Sequence, residues 1–240
     1  HRGIETITYV LRGSVEHGDS MGNHGVISAG DVQWMTAGSG IIHQEMPKGD
    51  PDGRMEGFQL WANLPRVNKM MAPRYQEIKS SQIPSVNLNN GASARVIRGE
   101  LEGVRGPVED IVIAPLYLDV SVPPHSRISL PTTRGFTAFA YLYEGQATFC
   151  DEQDPFAYER EGSNYFDTGH EPWLGDGSLI VFDDGDEIVV SSQSETVRFL
   201  LISGLPIREP VAWYGPIVMN SEKELRLAFD ELEQGTFIKK

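Results

Sequence analysis

Two residue pairs near the start of the chain combine an imidazole with a carboxylate at spacings that a β-strand turns to use. His1 and Glu5 are four apart and His43 and Glu45 two apart, so on strands each pair falls on one face. Neutral imidazole plus carboxylate suits a divalent first-row metal. Two or three histidines with one carboxylate and open coordination positions favour non-haem iron(II), with manganese, cobalt, nickel, copper and zinc as the other divalent candidates. An isolated His-x-Glu is usually just a polar strand edge. Here residues 30–45 supply more: a glycine-acidic turn at Gly30-Asp31, a strand, and a small-residue loop from Ala37 to Gly40 that delivers His43.

The elements that must hold these residues read as strands. Twenty-five glycines and fifteen prolines are spread evenly, separating short runs of Val, Ile, Phe, Tyr and Thr. Residues 4–11, 57–64, 116–122, 136–143, 187–192 and 197–203 have strand composition. The pattern predicts an all-β sandwich or barrel. One helix is expected at the C-terminus, where Ser221 and Glu224 form a capping box and Leu225, Ala228, Phe229 and Leu232 recur at helical spacing. Its apolar stripe is expected to pack on the rest of the protein. Residues 65–86, polar and marked by Pro65, Pro73 and Pro84, read as a strapped connection, and residues 150–177 as a long acidic and aromatic loop.

Two segments repeat. HRGIETITYVLRG (residues 1–13) aligns without a gap on TRGFTAFAYLYEG (residues 133–145) at an offset of 132. Each is followed by a glycine-acidic turn, Ala29-Gly30-Asp31 and Asp184-Gly185-Asp186. The simplest account is two tandem copies of one β domain, at residues 1–80 and 86–214, with 215–240 as a tail and helix. The second copy is expected to bind no metal: Thr133 stands for His1, Thr137 for Glu5, and residues 191–198 contain no histidine. His125 and His170 read as surface histidines. His17 and His24 flank a turn-rich stretch and could line the mouth of the first pocket, with Trp34 and Trp61 on flanking strands.

Composition narrows the partners. Twenty Lys and Arg against 34 Asp and Glu give a net charge of −14, which repels phosphate backbones and argues against direct nucleic-acid binding. The lone Cys150 excludes an intrachain disulfide and a cysteine-based zinc cluster. It is compatible with a reducing compartment, so the cytoplasm, or the nucleus of a eukaryote, is the expected location. No apolar run approaches the ~18–20 residues of a membrane span. The sequence starts at His1 rather than Met, so upstream residues are expected.

The layout of residues 30–45 resembles the second cupin motif, and residues 1–13 resemble the first. A cupin is a double-sheet jelly roll. The resemblance narrows further. HRG (1–3), DVQWMT (31–36), Ala37-Gly38, Gly40, HQEMP (43–47), FQLWANL (58–64), PRYQ (73–76) and REPVAWYGPIVMN (208–220) together are similar to the pirins, a bicupin family, along the whole chain.

That resemblance implies two tandem cupin barrels with iron(II) in the first. It implies that His1 is the second histidine of an HPHRG segment, with a further ligand two residues before it, and that His43 and Glu45 complete the set. Glu5 then falls beside the site rather than on the metal. The family's enzymatic assignment is quercetin 2,3-dioxygenase, the cleavage of a flavonol by dioxygen with loss of carbon monoxide, and Glu45 would accept the hydroxyl proton. Pirins are also implicated as iron- and redox-dependent adaptors that bind a transcription factor or enzyme partner without turnover. A cupin scaffold that binds metal and does neither is the third reading.

Overall fold

The computed structural model describes residues 1–150 and 173–239; most of the loop expected at residues 150–177, with His170, lies outside them. Twenty strands and one α-helix are found among the described residues, so the class is all-β with a C-terminal helix. The chain forms two compact units. The first comprises His1–Ile83, Pro107–Ile113 and Ile207–Lys240, the second Pro84–Gly106 and Ala114–Pro206. Residues 107–113 and 207–214, read from sequence as part of the second domain, therefore belong to the first unit. The reason is pairing: Gln76 Nε2 donates to the Glu109 carbonyl at 2.5 Å, the Arg66 N–H donates to the Glu209 carboxylate at 2.7 Å, and Ala212 pairs with Met219 in a hairpin whose Ile217 bridges Arg2.

In the first unit the strands are β1 (Ile4–Arg12), β2 (Ser14–Asp19), β3 (His24–Ser28), β4 (Val32–Thr36), β5 (His43–Lys48), β6 (Glu56–Asn63) and β7 (Arg74–Ile78). They form two antiparallel sheets, β6-β1-β4-β7 and β3-β2-β5. β7 falls inside the stretch read as a strapped connection. It pairs along β4, Trp34 opposite Gln76 and Gln33 opposite Glu77, and so closes one edge of the larger sheet. The two sheets face each other through polar contacts: Thr8 on β1 reaches Glu45 on β5, and Gln33 and Glu77 reach His17 on β2. Apolar clusters flank this polar middle, Val10, Val15 and Ile27 on one side and Ile4, Met35, Ala37 and Ile41 on the other.

The second unit contains β8 (Ser85–Asn87), β9 (Ser93–Arg98), β10 (Glu100–Leu101), β11 (Val104–Arg105), β12 (Leu116–Val122), β13 (Arg127–Pro131), β14 (Thr137–Glu144), β15 (Ala147–Phe149), β16 (Ser178–Phe182), β17 (Glu187–Ser192) and β18 (Val197–Gly204). Its sheets run β16-β14-β18-β12-β9-β8 and β13-β17-β15. The duplication is visible in backbone detail. β1 lies between β6 and β4 as β14 lies between β18 and β16. The register shift at Val10/Arg12 recurs at Leu142/Glu144, displaced by the same 132 residues.

The interiors differ at matching positions. Thr6, Thr8 and His17 of the first unit correspond to Ala138, Ala140 and Phe149, which belong to a continuous apolar core with Leu118, Val120, Phe199 and Leu201. Phe149 stands edge-on to Phe199, ring centroids 5.3 Å apart. Among the described residues the interior of the second barrel is apolar, and the first carries hydrogen-bonding groups where the second carries methyls and a phenyl.

The tail adds the hairpin β19 (Ala212–Tyr214) and β20 (Ile217–Met219), then α1 (Glu222–Glu233). Ser221 caps α1 by accepting from the Glu224 N–H at 3.3 Å, while the Glu224 carboxylate accepts from the Ser221 hydroxyl at 2.8 Å. Leu225 and Ala228 are buried against Ala212, Ile217, Met219 and Phe237. Leu232, expected in the packed stripe, is exposed in the last turn.

Candidate metal centre in the first barrel

β5 alternates as its sequence predicts: His43 and Glu45 are half-buried, Gln44 and Met46 exposed. The loop before β5 turns at Gly40, with φ of +139°, where an added Cβ would lie 2.9 Å from the Phe237 ring. The tail thus presses on the loop that delivers His43. His1 reaches the same place by backbone pairing, its carbonyl accepting from the Ile41 N–H at 3.0 Å. The rings of His1 and His43 meet edge-on with centroids 5.0 Å apart, and Trp61 stands edge-on to His1 at 5.1 Å.

In both histidines Nδ1 is buried without a hydrogen-bond partner. Burial lowers the pKa of His43, which favours the neutral imidazole that ligates metals. A buried ring nitrogen with no partner is costly unless something occupies it, and a pair of such imidazoles is a donor set a first-row divalent ion accepts. Glu45 projects from the same face of β5 as His43, but its carboxylate accepts from Gln59 Nε2 at 2.9 Å and from the Thr8 hydroxyl at 3.3 Å. Among the described residues, no three His, Cys, Asp or Glu side chains close around one point. The imidazole pair fits a metal, and the Glu45 carboxylate on the same face of β5 is held by Thr8 and Gln59.

His17 lies directly across the β2–β5 ladder from Glu45. It is 5% exposed, with Nε2 at 2.9 Å from both Glu77 Oε1 and Gln33 Nε2, and it stacks on Tyr75. A Cβ at position 25 would lie 2.7 Å from His17 Nε2 and 3.0 Å from Glu77 Oε1, so β3 passes close to this pair. His24 is exposed, as is His125, and Cys150 is a half-buried free thiol.

Glu5 and Trp34 do not join this group. The spacing argument placed Glu5 on the face of His1, but the strand begins only at Ile4, and Gly3 at φ +78° breaks the alternation between them. Along β1, Thr6 and Thr8 point to the interior and Glu5 to the opposite face. There its carboxylate is fully buried, accepting from Trp34 Nε1 at 2.9 Å and the Thr36 hydroxyl at 2.7 Å. Burial raises the Glu5 pKa, with both hydrogen bonds opposing. Glu5 and Trp34 brace the outer side of the sheet.

Five residues that spacing did not single out contact Glu45 or His17: Thr8 and Gln59 the first, Gln33, Tyr75 and Glu77 the second. The period-two alternation of β1 and β6 could have found Thr8 and Gln59. Tyr75 and Glu77 sit on the strand hidden in the proline-marked stretch.

The chain matches the family model described as Pirin over residues 1–62 and that described as Pirin C-terminal cupin domain over residues 117–238. Pirin-1 of Arabidopsis thaliana is 40% identical over 235 residues, spanning 97% of this chain and 75% of that protein. A crystal structure of quercetin 2,3-dioxygenase from Acinetobacter baumannii superposes with a TM-score of 0.84 at 32% identity, covering 99% of this chain and 77% of that one. The bacterial pirin YhhW from Escherichia coli, solved in complex with nickel(II), has the same fold at 20% identity and a TM-score of 0.60, covering 86% and 73% of the two chains. Two cupin units, matched by family models in each half and by a relative along nearly its whole length, place this chain in the pirin family.

Proposed function

We propose that the first barrel is a divalent-metal site, with iron(II) as its working metal, and that the protein is a quercetin 2,3-dioxygenase acting on a small flavonol. The observation that carries this reading is the imidazole pair. His1 and His43 present buried, unpartnered Nδ1 atoms in an interior that carries polar groups, while among the described residues the duplicated interior is apolar at the corresponding positions. The solved relative named quercetin 2,3-dioxygenase supports the choice of reaction.

His1, His43 and Glu45 would hold the metal, and a further histidine two residues before His1 completes the expected set. A bound first-row metal supplies Lewis acidity and redox chemistry toward dioxygen. Trp61, partly exposed beside His1, offers an aromatic face for a planar ring. Glu45 accepts the proton of the flavonol hydroxyl, and Thr8 and Gln59 hold that carboxylate in place until it is needed. The test is turnover: protein loaded anaerobically with iron(II) and given quercetin in air releases carbon monoxide as the flavonol absorption is lost. Full metal occupancy with neither change overturns the catalytic reading.

A further inference from the structure

Lys69 is 1% exposed, and its ammonium has three oxygen partners on three separate segments. Nζ donates to the Gly3 carbonyl at 2.9 Å, to Asn63 Oδ1 at the end of β6 at 2.6 Å, and to the Val218 carbonyl of β20 at 3.0 Å. Burying an ammonium is costly unless each proton is taken up by an acceptor. A lysine in this situation orders whatever supplies its acceptors.

What it orders is the segment carrying His1. Gly3 is fixed by Lys69 through its carbonyl and by Gly38 through its N–H at 2.8 Å, and Arg2 exchanges backbone hydrogen bonds with Pro216 and Val218. An added Cβ at Gly3 would lie 2.0 Å from the Val218 carbonyl oxygen, so segment and hairpin are in direct contact. The C-terminal sequence 208–220 is held in turn. The Glu209 carboxylate accepts from the Arg66 N–H at 2.7 Å and from Asn220 Nδ2 at 3.1 Å, and the Asn220 N–H donates to Glu224 at 3.2 Å.

We propose that Lys69 is a positioning residue for His1, clamping the His1–Gly3 turn against β20 so that the His1 ring meets His43. The inference rests on reading the imidazole pair as a metal site. It also gives the tail a role in that site: β20 supplies one of the three oxygens that hold the clamp.

The test is cobalt(II) titration of wild type, Lys69→Met and the milder Asn63→Ala, followed by ligand-field absorption, with far-UV circular dichroism and apo-protein melting in parallel. A lost supporting contact of this kind weakens metal binding by about 10- to 100-fold. The expected result is that loss in Lys69→Met, a smaller loss in Asn63→Ala, and an altered cobalt band at saturation in folded protein. Lower melting with unchanged affinity and band in both variants overturns the proposal. Should Lys69→Met fail to fold, Asn63→Ala decides by the same criteria. Wild type that binds no cobalt overturns the metal reading instead. The crystal structure of the metal-free variant then decides on Lys69: His1 displaced from His43 supports the clamp, and His1 in place overturns it.

Discussion

The Arg2 guanidinium lies 4.2 Å from the centre of the Phe237 ring and donates to the Phe237 carbonyl at 2.8 Å, joining the second residue of the chain to the tail that follows α1. Arg2 also donates to the Ser39 carbonyl at 2.6 Å and pairs with Glu231 at 2.7 Å, so one side chain ties the histidine-bearing turn, the loop before β5 and the C-terminus. Phe237 is buried. Phe237→Ala is expected to cost about 3–5 kcal/mol in urea unfolding and to loosen the Ala37–Gly40 loop, so metal affinity falls with stability. Metal affinity unchanged in a destabilised variant would show that the loop keeps its shape without the tail.

Glu5→Gln separates the two faces of β1. Glu5 and Trp34 bond to each other away from the imidazole pair, so this variant should keep metal affinity within about twofold of wild type while losing part of a buried hydrogen-bond pair worth roughly 1–3 kcal/mol. His43→Ala should do the reverse. Calorimetric metal titration beside chemical unfolding distinguishes them.

Lys69 predicts a pH dependence. Burial pushes its pKa down to about 8 from an unfolded value of 10.5. Between those values the unfolded chain binds the proton and the folded protein does not, so folding stability rises with pH through this window and levels off above it. Wild type should therefore gain stability relative to Lys69→Met from pH 8 to 10.5, by at most roughly 3 kcal/mol. Urea midpoints of both proteins across that range provide the check, and parallel curves would show that the lysine keeps its proton throughout.

His17→Phe places in the first barrel the residue the second carries at Phe149. It leaves Glu77 and Gln33 without their imidazole partner. The expected cost is about 1–3 kcal/mol, with β5 and the imidazole pair retained and cobalt(II) still bound. Loss of cobalt binding would place His17 among the groups the metal needs.

Much of this architecture was legible because strands and caps announce themselves locally. The residues of β12 and β17 were readable to the last position, and the Ser221–Glu224 box marked the start of α1. His43 and Glu45 share a face because they lie within one unbroken strand. The His1–Glu5 argument failed for the opposite reason, since a left-handed glycine stands between them, and its φ is invisible to a spacing rule. β7 was missed because Pro65, Pro73 and Pro84 mark its surroundings as a connection, while its five residues gain their order from pairing with β4, a non-local contact. Lys69 carried no signal at all: nothing about a lysine in a polar stretch announces that three oxygens from distant segments surround it.

The measurement closest to the central claim is oxygen uptake with quercetin by iron(II)-loaded wild type and by His43→Ala, each at known metal occupancy. The account predicts uptake proportional to bound iron in wild type and none above background in the variant. Equal uptake by both proteins, or none from fully loaded wild type, contradicts it.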